Sequence, residues 1–557
     1  MSSSPIRAVL PILVLLSACA ATDPPDNAAA AYVMPNAYGD FLAARYAQQT
    51  QDSAAAAQYY AAALALAPHD QKLAEQAFIS AILADPSSAL PLAREVKQNP
   101  MAAMLLGNRD ILNGNFTAAS TQFASLPDSG LTGLLRPLLL AWTEAGDGKT
   151  ASAIARLTPL SNNAPFGPVY TLSAALIADI GGDQSQAASL YDAAAKSYTE
   201  PNLRLAQILA SWQARQGNQT AANATLQQMT DAHPALQIAL PDLVAHAADK
   251  IVANANQGLA ETYLALAGSL NAPDQILLRQ TLLRFALQLR PDLTAARLLL
   301  ADIDVQANQS DAALDILAAV KPTDPLIQPV RIRKATLLAA MGKSSQAILL
   351  LNDVLATDPG DIDVLELKGD IYRGAGNFPA AIAAYSTAIG KLPQPAPQAA
   401  WTLYYARGIS EDQNGGWALA QPDLQAARAL DPTQPYVLNY LGYSLAIHGD
   451  DLTQAKQMIE QAVGEAPEEG AIIDSLGYIQ LRQGKIKQAL TTLTRAVQLQ
   501  PDDVTVNMHL GDAFYANGQK LQARYQWQRA LNLKPDAKDE SMLEEKLKKV
   551  ADTESHS

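Results

Sequence analysis

The chain has 557 residues, with 54 acids against 40 bases, a net charge of −14, 49% hydrophobic residues and only 6% aromatics. Such a surplus of negative charge would repel a phosphate backbone, so nucleic acid is excluded as an expected partner, and the apolar fraction is too high for a disordered chain. A single cysteine excludes an internal disulfide framework and a multi-cysteine zinc site, while abundant alanine, a strong helix former of small volume, argues against a sheet-rich enzyme.

Residues 1–19 read MSSSPIRAVLPILVLLSAC: a short start carrying Arg7, an apolar stretch from Ala8 to Leu16, then Leu16-Ser17-Ala18-Cys19. That is the layout of a secretory signal, expected over 1–18, and the stretch is too short to span ~30 Å of hydrocarbon. The last four residues resemble the bacterial lipobox, which implies that Cys19 takes a lipid on sulfur and becomes the mature N-terminus. The other reading is ordinary cleavage after small residues, leaving a free thiol. Ala20 follows the cysteine; by the same resemblance, an aspartate there would favour the inner membrane, so the periplasmic face of the outer membrane is expected. Residues 19–36 then form a tether rich in Ala, Pro and Asp without helical periodicity. No later apolar run approaches ~18 uncharged residues, so no further membrane span is expected.

From about Ala37 to Pro535 the chain repeats with a period of 34 residues. Gly477 and Gly511 are 34 apart, and so are Ala489 and Ala523, Ala496 and Ala530, and Pro501 and Pro535. Gly442, Ala455, Ala462 and Pro467 precede them with one residue added near Gly449; Gly408, Ala420, Ala427 and Pro432 come earlier, and Gly369, Ala381, Ala388 and Pro393 earlier still. The pattern resembles the tetratricopeptide repeat, a pair of antiparallel helices in which small residues at positions 8, 20 and 27 permit close approach. Large residues at 4, 11 and 24, such as Leu365, Tyr372 and Tyr385, fill the gaps. Glycine at 15 (Gly376, Gly415, Gly484, Gly518) supplies a positive φ between helices, and proline at 32 stops helix B.

Weaker copies extend toward the N-terminus, down to Ala44, Ala56, Tyr60, Ala63 and Pro68. The expected fold is therefore all-α, an α-solenoid of about 14–15 helix-turn-helix repeats. An N-terminal block spans 37–234 and a C-terminal block 291–535. Between them 235–290 fits worst, with Arg279 where a small residue belongs, and reads as a degenerate repeat or joint. Residues 536–557 read as a polar capping helix and tail.

Motifs for chemistry are wanting. Gly146-Asp147-Gly148-Lys149-Thr150 and Gly342-Lys343-Ser344 end like phosphate-binding loops, but Thr143 and Leu337 stand where the first glycine is needed. The six histidines form no pair with metal spacing, and no GxSxG elbow occurs. A site built from scattered carboxylates would leave no motif; the expectation is no catalytic residue, no metal and no cofactor.

Binding is expected on the surface lined by A helices. The repeat resemblance places positions 2, 5, 9, 12 and 13 there: Tyr405, Asp412 and Gln413; Tyr436, Asn439 and Tyr443; Asp474, Tyr478 and Arg482; Met508, Asp512 and Tyr515. Tyrosines offer large amphipathic contact area at low entropy cost, which suits an extended peptide or a partner helix. The alternative is that some only pack against the neighbouring A helix. A clamp for C-terminal carboxylates is not expected, since the lysines it needs are missing. The neutral or basic segment of a partner would suit this acidic surface better.

The stretch from Leu438 to Pro535, together with Gly258-Leu259-Ala260-Glu261 and LRPDLTAARLLLADI, resembles large Gram-negative outer-membrane lipoproteins built of these repeats. One member of that group is the adaptor of a periplasmic carboxyl-terminal processing protease and its peptidoglycan-hydrolase substrates. The resemblance implies a non-enzymatic, lipid-anchored scaffold with protein partners in the envelope, or else an accessory factor for outer-membrane protein, pilus or polysaccharide export assembly.

Overall fold

The computed structural model describes residues 37–163, 166–198, 202–270, 272, 275–449 and 451–554, with side chains described as far as Val550. The signal and tether expected at 1–36, Cys19 included, lie outside the described residues. The chain divides into two compact units, Met1–Ala102 and Ala103–Ser557. Thirty α-helices and no strand occur among the described residues, giving an all-α solenoid of stacked helix pairs. Twenty-eight of these helices form fourteen consecutive hairpins, leaving Leu240–Ala245 and the last helix, Ala537–Glu554, outside the pairing.

A close approach between residues sixteen apart closes several of the hairpins. A Cβ added to Gly369 would lie 2.4 Å from Tyr385 Cε1; at Gly477 it would lie 2.5 Å from Leu493 Cγ, and at Gly511, 2.5 Å from Trp527 Cδ1. Gly107 stands in the same relation to Phe123, at 2.3 Å. The large side chain of helix B therefore lies directly on the backbone of helix A, and nothing larger than the residue present fits between them. Ala381, Ala388, Ala489, Ala496, Ala523 and Ala530, the small positions of helix B, are all completely buried. Gly376 and Gly484 turn the chain at φ of 72° and 75°, and Asn308 takes the same left-handed turn at 60°. Asp361 and Asp503 then cap the following A helices, accepting from the N–H groups of Val364 and Val506 at 2.8 and 3.0 Å. Gly148 and Gly342, which in sequence mimic phosphate loops, are turns of the same kind between paired helices.

The segment 235–290 has a tertiary role beyond the stack. After a 3₁₀ turn at Pro234–Ala239, its helix Ala255–Ser269 packs on the A helices Gly130–Gly146 and Gly167–Gly181. Gly258 sits under the Trp142 ring, with a Cβ position 2.0 Å from its Cη2, and Trp142 Nε1 donates to Thr262 Oγ1 at 2.9 Å. Tyr263 donates to Asn108 Oδ1 at 2.9 Å. Glu261, 5% exposed, accepts from Arg204 of the helix Leu203–Arg215 and from Arg290 at 3.0 Å. Four successive A helices thus hold one inserted helix that is buried nearly all round, as its apolar and small residues require.

Two substitutions probe these contacts. Gly369→Ala is expected to cost ~1–3 kcal/mol by overpacking against Tyr385, whereas Gly374→Ala, whose Cβ meets nothing within 4 Å, leaves stability unchanged or slightly raised; thermal unfolding compares them. Glu261→Ala, which strands two partly buried guanidinium groups, is expected to cost ~3–5 kcal/mol in urea unfolding.

Candidate functional site

The A-helix face is filled by the chain itself between Asn108 and Arg204, and the corresponding face of the C-terminal repeats holds an aromatic and polar row. Helix Trp401–Gln413 presents Trp401 and Tyr405, with ring centroids 5.8 Å apart, and Tyr405 meets Tyr440 of Pro435–His448 edge-on at 6.0 Å. Asp412 accepts from Tyr440 Oη at 3.1 Å and from Ser444 Oγ at 3.2 Å, and its Oδ1 lies 2.9 Å from His448 Nε2. The His448 ring stacks on Trp417 at 4.7 Å with an 8° interplanar angle.

The next step along the row is a second aromatic cluster. Tyr443 and Tyr478 are 5.2 Å apart, and Tyr478 lies 4.7 Å from the His509 ring. Both tyrosines keep part of their rings at the surface. Arg482 donates to Tyr478 Oη at 2.9 Å and lies over that ring at 5.7 Å. Beneath them Asp474, 4% exposed, accepts from His509 Nδ1 at 2.7 Å. Asp474 Oδ1 and, one repeat earlier, Asn439 Oδ1 are buried acceptors without a hydrogen-bond donor. Tyr436 is 48% exposed at the rim.

Burial pushes the Tyr405 hydroxyl up to about 12, although Arg373 opposes the shift. The same desolvation raises Tyr440 and Tyr443, with Asp412 and Asp474 respectively adding to it. Burial raises Glu411 as well, with Asp423 reinforcing it. These hydroxyls therefore act as neutral donors and acceptors throughout the physiological range.

The row ends under the terminal helix Ala537–Glu554. Met508 packs with Trp527, Leu543 and Val550 in one apolar cluster. Asp512 accepts from Trp527 Nε1 at 3.0 Å and from Lys546 Nζ at 2.5 and 2.6 Å. Tyr515 lies 5.6 Å from Trp527, with Lys549 Nζ 6.0 Å from its ring centroid. These three residues are therefore engaged by the last helix, whereas Tyr405, Tyr443, Tyr478 and Arg482 form the more open stretch.

Elsewhere a cavity of about 600 Å³ opens where the hairpin at 203–232, the segment after it and residues 290–326 meet. Four of its cations are already matched: Arg204 and Arg290 by Glu261, Lys250 by Asp179, and Arg297 by the Pro291 and Ile316 carbonyls. Among the described residues no cluster of three or more His, Cys, Asp or Glu is arranged to hold a metal ion, and no helix is long and apolar enough to cross a membrane.

Two family models match the chain. A tetratricopeptide repeat-like domain covers residues 252–402, and a tetratricopeptide repeat covers 405–470 and 475–538. The chain is a tetratricopeptide repeat (TPR) protein. It is 27% identical over 219 residues to a TPR repeat-containing protein of Pseudomonas aeruginosa; the match covers 39% of this chain and 36% of the relative's own length. Among solved structures it is similar to a TPR protein from Parabacteroides merdae, at 16% identity and a TM-score of 0.38, over 46% of this chain and 97% of that one. Yeast Tom70 matches at 14% identity and a TM-score of 0.34, over 93% and 96% of the two chains. Likeness at this level concerns the fold alone.

In TPR register, Tyr405, Asn439, Asp474 and Met508 share position 5, and Tyr443, Tyr478 and Asp512 share position 9. Sequence reasoning missed position 6, occupied by Tyr440 and His509, which reaches back to the preceding A helix. It also missed Lys546 and Lys549, which continue positions 9 and 12 by standing 34 residues after Asp512 and Tyr515. Extending the register past Pro535 was the signal available. His448 and His509 serve separate carboxylates, Asp412 and Asp474.

For His509 burial lowers the pKa, but the charge and hydrogen bond of Asp474 outweigh it, and the net direction is upward. A raised histidine contributes stability fully below its unfolded value of about 6.5 and loses it as pH climbs through the raised folded value. The stability difference between wild type and His509→Gln, read from urea midpoints, is therefore expected to be largest at acid pH and to shrink as pH rises above neutrality.

Proposed function

We propose that this TPR protein is a lipid-anchored scaffold at the periplasmic face of the outer membrane, holding a segment of an envelope protein against its C-terminal A helices. The observation that carries this reading is the row from Trp401 to Arg482, where partly exposed aromatics, Trp401, Tyr405, Tyr440, Tyr443 and Tyr478, follow one another across successive A helices. Extended or helical segments bring the complement: apolar side chains for the rings, and hydrogen-bonding groups for the tyrosine hydroxyls and Arg482. The repeats between Pro100 and Arg215 support the same assignment, because Ala255–Ser269 already lies against their A helices.

TPR repeats act in general through protein partners. By the resemblance of the lipobox and of the C-terminal repeats, the clients we propose are a periplasmic carboxyl-terminal processing protease and peptidoglycan hydrolases. The scaffold would work through effective concentration: a tether at Cys19 confines it and its clients to a thin layer, so the second encounter is nearly intramolecular. No catalytic residue, metal or cofactor enters this mechanism.

The test is affinity purification from detergent-solubilised envelopes, comparing wild type with Tyr443→Ala/Tyr478→Ala. A co-purifying protease whose recovery falls roughly tenfold or more in the double variant is the expected result. Equal recovery from both proteins would place the contact outside the row. Recovery of a barrel, pilus or polysaccharide-export component instead would favour the assembly-factor reading. The anchor is tested separately: Cys19→Ala is expected to release the protein from the membrane fraction, and an unchanged fraction would sink it.

A further inference from the structure

The first described hairpin, Ala37–Gln49 with Ser53–Leu66, carries only two charges in its two helices, Asp40 and Arg45. Its inward side is sound: Ala44, Ala56, Tyr60 and Ala63 are buried, and Phe41 meets Tyr60 edge-on at 6.1 Å. The opposite side of the first helix is an apolar stripe at intervals of four residues: Tyr38 is 71% exposed, Leu42 49% and Tyr46 70%. Tyr59 and Leu66 on the second helix are also exposed.

In repeat register Leu42 holds position 6, the place of Tyr440 and His509, which pack against the preceding A helix. No hairpin precedes it among the described residues. Solenoids need a polar outer surface on a terminal repeat to stay soluble. The last helix meets that need, with ten charged residues in eighteen. The first hairpin does not.

We propose that the Tyr38–Leu42–Tyr46 stripe rests in the headgroup zone of the bilayer that carries the anchor. This rests on the reading of Cys19 as the lipidated residue. Seventeen residues lie between Cys19 and Ala37, and a chain of that length spans at most roughly 60 Å. The stripe is thus held within range of the surface at high effective concentration, where even weak partitioning is realised. Its chemistry suits an interface better than a dry protein contact. Tyrosine puts its ring among the upper acyl chains and its hydroxyl among headgroups, and neither helix carries a block of acids that anionic lipid would repel. The contact would fix which side of the first hairpin faces the membrane, whereas a tether alone leaves the body free to rotate.

The experiment is hydroxyl-radical footprinting of the acylated full chain in vesicles of phosphatidylethanolamine and phosphatidylglycerol, against the unacylated Cys19→Ala chain in solution. Tyr38 and Tyr46 are expected to be modified roughly fivefold less in vesicles, while Tyr525, 69% exposed on the helix Lys520–Asn532, is unchanged. Equal modification of Tyr38 and Tyr46 in both states would overturn the proposal. Protection that appears without vesicles and grows with protein concentration would overturn it in favour of a second copy of the chain. Leu42→Asp at this exposed position should abolish the protection while leaving the melting temperature unchanged; retained protection counts against the proposal. The mass of the N-terminal peptide tests the anchor independently. If Cys19 proves unacylated, the same vesicles added to the unacylated chain decide the stripe by the same loss of Tyr38 and Tyr46 modification.

Discussion

Everything in this fold depends on how closely two helices of a hairpin can approach. Tyr385, Leu493 and Trp527 each lie on a glycine sixteen residues earlier, with no room for a further carbon between them. Once that contact is set, the paired alanines of helix B must face inward, the turn must be tight, and the next A helix begins about 34 residues after the last. The positions left looking outward from helix A then fall into rows across successive repeats. The Tyr443–Tyr478 contact is one such row made visible. Gly258 under Trp142 uses the same approach between helices far apart in sequence.

A second regularity is electrostatic. Carboxylates on A helices are shared with neighbouring elements: Asp179 takes Arg215 at 2.6 Å and Tyr191 at 3.1 Å, Asp412 takes Tyr440 and Ser444, Asp474 takes His509, and Asp512 takes Lys546. Part of the chain's negative charge thus joins one element to another and is unavailable to a partner. Where the carboxylate is buried, as at Asp179 and Asp474, removing its partner costs more than losing a surface ion pair, because a charge is left unmatched out of water. Asn439 and Asp474 differ in each keeping one buried oxygen with no donor.

The repeat was legible in the sequence because its causes are local. A glycine at the turn, alanines seven apart and a proline past helix B act within one hairpin, and the helices follow them closely from Ile362 to Asn532. Tyr443 and Tyr478 could be placed together for the same reason, since their spacing is nearly the repeat itself. The docking of Ala255–Ser269 was not legible. Periodicity reports which side of a helix is buried but not that Trp142, over a hundred residues earlier, provides the surface. His509 was passed over because position 6 follows immediately after a groove position yet points at the preceding helix. Lys546 and Lys549 were hidden in a segment whose charge reads as a solvated end. Asp512 and Tyr515 were accordingly assigned to an open surface that the last helix shares.

The inserted helix bears on how this array unfolds. Repeat proteins made only of neighbour contacts behave as a row of coupled units that can fray or nucleate anywhere along their length. The bonds from Trp142 to Thr262 and from Asn108 to Tyr263 join residues separated by 120 and 155 positions. Closing such loops costs chain entropy before the contact repays it, a cost that contacts within one hairpin do not carry. The bonds made by Ala255–Ser269 couple residues from Asn108 to Arg290 beyond neighbour contacts, and none of them reaches the repeats from Ile362 onward. The aromatic row from Trp401 to Arg482 closes from contacts between neighbouring helices and needs none of these long-range bonds.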